Sequence, residues 1–179
     1  MNLFFLPFRI AALLISGGRQ GRRTLRYIQA ILDGETVIPG GIAQLMAELD
    51  CDGDTAPEID DKHFPGADPF VSTEGIVAVD IALEAWSITM ATDFLAAMVP
   101  PMEPAMPDEG IKWAAKNPDA QRVNSLVISG RIVNVGDELC IIVLIGNAYQ
   151  REAFLYSKHN KFMRSCRILA KPKKAVPVA

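Results

Sequence analysis

The run Leu139, Cys140, Ile141, Ile142, Val143, Leu144 and Ile145 decides how the rest of the sequence is read. It is wholly apolar, rich in β-branched residues, and bounded by Gly136-Asp137-Glu138 on one side and Gly146-Asn147 on the other. A short run of this composition between turn signals is a strand without a solvated face, and such a strand needs cover on both sides. Three further runs with a period of two surround it, at residues 126–135, 148–157 and 162–170. The last connection is Lys158-His159-Asn160-Lys161. Links this short join antiparallel neighbours, so the C-terminal third is expected to be a four-stranded antiparallel meander.

Working outward, the cover for this sheet is sought in periodic helices. The longest periodic segment follows Ser72 and Thr73, with Ile76, Val79, Leu83, Trp86 and Met90 stepping by three and four, and Asp80, Glu84, Ser87 and Ala91 opposite. It predicts a central amphipathic helix of about 25 residues, on the order of 37 Å long. Asp80, Glu84 and Asp93 argue against a membrane span there. Two shorter helices are expected upstream, at residues 24–33 from Leu25, Ile28, Ile31 and Leu32, and at 42–49 from Ile42, Leu45, Met46 and Leu49. They do not make a helix-turn-helix reader of DNA. The connector at 34–41 is too long, and the second helix carries Glu48 and no base.

The fold class expected is therefore α+β: short N-terminal helices and one long central helix packed on a C-terminal four-stranded antiparallel meander. Residues 1–98 form the mostly helical region, with an acidic, Pro-containing loop at 50–70. Residues 99–109, with Pro100, Pro101, Pro104 and Pro107, read as a stiff link, and 110–179 as a short helix around 110–116 plus the sheet. A chain of 179 residues that is half apolar can bury roughly 70% of its unfolded surface, so one compact unit is expected and wholesale disorder is excluded.

The net charge of −3 conceals a polarised layout. Residues 1–32 sum to +5, residues 33–110 to −16 with Lys62 as their single base, and residues 111–179 to +8. Blocks of opposite sign either fold against one another or meet partners of opposite charge, since single-sign patches steer and orient association. Cys51, Cys140 and Cys166 are odd in number and widely spaced, which speaks against a disulfide framework or structural zinc and for a reducing compartment.

Four candidate sites emerge. Residues 3–15 are apolar apart from Pro7 and Arg9, too short to span a bilayer and without the leading positive charge of a secretory signal. Phe4, Phe5, Leu6 and Phe8, followed by Arg19, Arg22, Arg23 and Arg26, would suit a protein partner, or peripheral contact with an anionic membrane. Asp50, Asp52, Asp54, Glu58 and Asp61 follow the ligand rhythm of a Ca²⁺ or Mg²⁺ loop. Thr55 stands where the turn glycine belongs, Pro57 stiffens the middle and the twelfth residue is Asp, so a solvated acidic loop without cofactor is the plainer expectation. Lys158, Lys161, Arg164, Arg167, Lys171, Lys173 and Lys174, with Tyr156 and Phe162 among them, would suit nucleic acid or an acidic partner. Cys166 paired with His159 is the one conceivable nucleophile–base couple.

No nucleophile elbow, phosphate-cradling glycine loop or dinucleotide fingerprint occurs, so no enzyme class is indicated. The function expected is that of a non-enzymatic structural or adaptor subunit of a larger assembly, such as a phage, virion or secretion-type particle. Its partners would be other protein subunits in an oligomer or hetero-complex, and its place cytoplasmic, particle-associated or peripheral to a membrane. Two alternatives are an inhibitor whose acidic block mimics nucleic acid in a basic groove, and a nucleic-acid accessory protein using the basic C-terminus.

Overall fold

The structure, a computed structural model, describes residues 41–173. In chain order its elements are α1 (Ile42–Leu49), β1 (Val77–Val79), β2 (Ala85–Trp86), α2 (Ile88–Ala97), β3 (Met102–Pro104), α3 (Pro107–Lys116), α4 (Pro118–Val123), β4 (Ser125–Val135), β5 (Glu138–Gly146), β6 (Arg151–Ser157), β7 (Phe162–Met163) and β8 (Cys166–Pro172). The protein is α+β with a mostly antiparallel sheet of order β1-β8-β4-β5-β6, and β3 also pairs with β8. The helix expected at 24–33, and the short one expected from Pro7 to Ser16 between the breaker Pro7 and Gly17-Gly18, lie outside the described residues.

The apolar run is the hinge of the packing. Because successive side chains of a strand point to opposite faces, Cys140, Ile142 and Leu144 enter one core and Ile141 and Val143 another. All five are buried. On the first face lie Ile42, Leu45 and Leu49 of α1 with Ile111 and Ala114 of α3. On the second lie Ile88, Ala91 and Leu95 of α2 with Trp86 and Phe162, whose ring centroids are 4.9 Å apart. At roughly 25 cal/mol per Å² of apolar surface removed from water, two such faces explain why one strand needs no polar position.

α1 forms where its periodicity places it, and its capping is long-range. Gly41, at φ 84, has no side chain to cap with, and the Asp61 carboxylate accepts the Ile42 N–H at 2.7 Å instead. The helix ends at Asp50 in the left-handed region, φ 55. α3 begins with Pro107 at its first turn, and Glu109 accepts the Met106 N–H at 2.9 Å. The stretch 99–109 is not a bare link: Met102–Pro104 pairs with β8, with Met102 opposite Pro172 and Pro104 opposite Ala170.

Two expectations are corrected. The long central helix does not form over its first half; residues 77–79 pair with β8, residues 85–86 pair with β7, and only Ile88–Ala97 is helical. Gly75 sits at φ 76 and Ala82 at φ 57, and Asp80 accepts the Ala82 N–H at 2.8 Å, a turn that competes with helix. Ser87 then starts the helix by accepting the Met90 N–H at 3.3 Å. Of the five supposed seam residues, Leu83 and Met90 are 41% and 46% exposed. Strand and helix segments in series imitated a single period.

The meander holds for three strands only. β4–β5 and β5–β6 are antiparallel, with Ile142 opposite both Ile128 and Leu155. The fourth run splits into β7 and β8, and β8 lies beside β4, parallel to it, with Val127 opposite Ile168. The free edge of β6 is already taken: Ala56 donates to the Ala153 carbonyl at 2.8 Å, Ala153 to Asp54 at 3.1 Å and Gly53 to Arg151 at 3.0 Å. The acidic loop thus occupies the place expected for the last strand. Among the described residues no helix is long and apolar enough to cross a membrane.

Candidate functional site

The acidic loop is a structural clamp around Arg151. The Asp52 carboxylate accepts the Arg151 N–H at 2.7 Å and lies 3.7 Å from the Arg122 guanidinium. The Arg151 backbone N–H holds the Asp52 carboxyl below its ordinary range. The carbonyl of Asp50 accepts Arg151 Nη2 at 2.8 Å, Asp54 uses its carbonyl in the β6 edge, and Asp61 caps α1. Glu58 is half-buried. The Asp52 and Asp61 carboxylates are thus committed to backbone N–H groups of different elements, and among the described residues no three His, Cys, Asp or Glu side chains are placed to hold a metal ion. The alternating spacing arises because this segment runs as an edge bridge, Thr55 against Ala153, and not as a loop closing on a cation.

Arg151 itself is buried, and its Nε and Nη1 make no hydrogen bond among the described residues. Beside it Gln121 is buried and donates to the carbonyls of Ile145 and Glu152, each at 3.0 Å. Burial pushes the Cys51 thiol up, against the opposing pull of the Arg151 charge. Burial likewise raises Cys140. Neither thiol has the depressed value of a working nucleophile. Cys166 packs against the core layer that holds Trp86 and Phe162, and His159 sits exposed in the turn after β6.

The basic C-terminal residues divide. Arg164 pairs with Glu84 and Arg167 with Asp80, each at 3.1 Å, while Lys171 reaches Glu109 at 2.6 Å and Glu103 at 3.6 Å. Burial would lower the Lys171 value, but the Glu109 hydrogen bond and the Glu103 charge outweigh it and hold the amine above its ordinary value. Here the acidic and basic blocks fold against each other. Lys158, Lys161 and Lys173 form no ion pair among the described residues. Phe162 is buried on Trp86 and Tyr156 is half-buried, so the interleaved aromatics offer no open stacking platform. Lys174, together with Phe4, Phe5, Leu6, Phe8, Arg19, Arg22, Arg23 and Arg26, lies outside the described residues.

Two features were not read from the sequence. The first is the outer face of α2, where Met90 and Phe94, one turn apart, are 46% and 40% exposed beside exposed Ala96 and Ala97. Asp93 is the single charge in this ten-residue helix. The second is an open groove of about 550 Å³ lined by Lys62, His63, Pro65, Arg131, Ile132, Val133 and Asn134. It forms where the β4–β5 register shifts between Ile128 and Val133 and the loop carrying Lys62 passes. Neither element shows its placement until the sheet is assembled. Comparison with protein-family profiles, with curated proteins and with solved structures finds no match to this chain.

Proposed function

We propose that this chain is a non-enzymatic subunit of a larger protein assembly, docking through the outer face of α2 and through its apolar N-terminal segment. The carrying observation is the composition of α2. A helix whose outward positions met only water would carry several charges there, whereas the exposed positions of this one hold Met90, Phe94, Ala96 and Ala97 beside Thr89 and Thr92, with Asp93 as the single charge. Its inward positions, Ile88, Ala91 and Leu95, are already satisfied in the core, so the outer apolar residues are not needed to hold the helix.

The alternatives find less support in the same geometry. An acidic block mimicking nucleic acid would need free carboxylates, and Asp52, Asp80, Glu84, Glu103 and Glu109 are engaged internally. A basic C-terminal reader of nucleic acid would have to work with Lys158, Lys161 and Lys173, without exposed stacking partners. Light scattering on the full chain and on a version lacking residues 1–18, with and without anionic vesicles, tests the reading. Self-association of the full chain above its 19.5 kDa mass, reduced by the truncation, is expected. A full chain that stays monomeric at every concentration would overturn it, and vesicle binding without self-association would move the apolar segment from protein to lipid.

A further inference from the structure

We propose that the groove between the Lys62 loop and the bulge of β4 is a binding site for a small phosphorylated molecule. Of the cations in the described residues, Arg122, Arg164, Arg167 and Lys171 are ion-paired, and Lys112 and Lys116 are tied to the Pro69 carbonyl and the Thr73 hydroxyl. Lys62 and Arg131, like Lys158, Lys161 and Lys173, have no carboxylate partner among the described residues, but these two are brought by the fold from distant parts of the chain to one concave surface. Lys62 is the single base in a stretch of strongly negative charge, yet the nearest acids in sequence are turned to other tasks. Asp60 accepts both the backbone N–H of His63 at 2.9 Å and its ring Nδ1 at 2.8 Å, and Asp61 caps α1.

The same contacts arrange the lining. The Asp60 carboxylate accepts from His63 Nδ1 and so uses that ring's N–H, which leaves the ligand's donors to the other residues. Arg131 donates Nη1 to the Pro65 carbonyl at 2.8 Å, which holds the guanidinium plane at the rim and leaves its Nε and Nη2 for a ligand. Asn134 adds an amide at the same groove, and Ile132, 41% exposed, adds an apolar wall. Two cations, Arg131 anchored through Pro65 and Lys62 exposed across from it, with the Asn134 amide suit a phosphate dianion, and a volume of about 550 Å³ leaves room for an attached organic body against Ile132 and Pro65.

The test is a ¹H–¹⁵N titration of the full chain with inorganic phosphate and with phenyl phosphate at constant ionic strength. Saturable shifts confined to the amides of residues 62–65 and 131–134 are expected, with phenyl phosphate binding more tightly. Lys62→Gln, at an exposed position that cannot disturb the fold, should weaken binding about fivefold, the worth of one unit-charge contact in water. Arg131→Gln should weaken it at least as much, and Lys158→Gln should leave it unchanged. Absence of saturation, or equal loss in Lys62→Gln and Lys158→Gln, would overturn the proposal by showing only diffuse attraction. Equal binding of the two probes would remove the organic body and leave a site for free phosphate.

Discussion

If β5 is buried on both faces, then neighbouring residues of one strand should be equally intolerant of truncation while belonging to different cores. Ile141→Ala and Ile142→Ala test this directly, since Ile141 packs with Trp86 and α2, and Ile142 with α1 and α3. Both are fully buried. Each change removes three carbons at about 0.8 kcal/mol apiece, roughly 2.4 kcal/mol before any cavity term, within the range of about 2–5 kcal/mol for such truncations. With a urea slope of about 2 kcal/mol per M, a loss of about 3 kcal/mol lowers the midpoint by about 1.5 M. Leu139→Ala, at a position 39% exposed, should cost under about 1 kcal/mol. Urea titration by tryptophan fluorescence serves as the assay, because Trp86 reports on one layer and Trp113 packs against the other. Coincident transitions for the two tryptophans are expected. A tolerated Ile141→Ala beside a damaging Ile142→Ala would show that only one face of the sheet is a core, and the account of the fold would fail.

Other consequences are narrower. Asp61→Ala should cost about 1 kcal/mol in urea unfolding, because it uncaps α1 from a distance; no measurable loss would mean that the Ile42 N–H finds another acceptor. Gly130→Ala should destabilise by about 1–3 kcal/mol, since a Cβ there would run into the Ala105 carbonyl, and a neutral effect would show that β3 is free to shift. Asp52 has a folded value below its ordinary 3.8, so the stability it contributes is full above that value and is lost as pH falls through the lower folded value. Asp52→Asn should therefore lower the urea midpoint at pH 5 and lose less than the parent between pH 5 and pH 2.5; parallel acid limbs would contradict the clamp on Arg151.

The parts of this fold that were legible in the sequence are those set by one period and one neighbour. Residues 139–145 declared a strand buried on both faces, and residues 42–49 a helix, because each segment's own pattern matches its packing. The long helix was misread because Ile76, Val79 and Trp86 are buried by different elements yet fall three and seven residues apart, while the Asp80 turn that separates them leaves no apolar signature. The last strand was misplaced because turn length suggests the nearest edge, and nothing local shows that Gly53, Asp54 and Ala56 already fill it. The candidate sites suffered likewise. The spacing of Asp50, Asp52 and Asp54 looked like a ligand set, but the Asp52 carboxylate and the Asp50 carbonyl are both committed to Arg151, a hundred residues on. The meeting of Lys62 with Arg131, and the exposure of Met90 and Phe94, exist only at the level of the assembled sheet.

The central claim is that the outer face of α2 joins this chain to protein partners. Sedimentation equilibrium on the full chain carrying Met90→Glu and Phe94→Glu, beside the parent, tests it most directly. Both residues are already accessible, so the double variant should unfold at a urea midpoint close to the parent's while its association constant falls by tenfold or more. Unchanged association in a folded double variant would contradict the account and leave α2 as an ordinary solvent-facing helix.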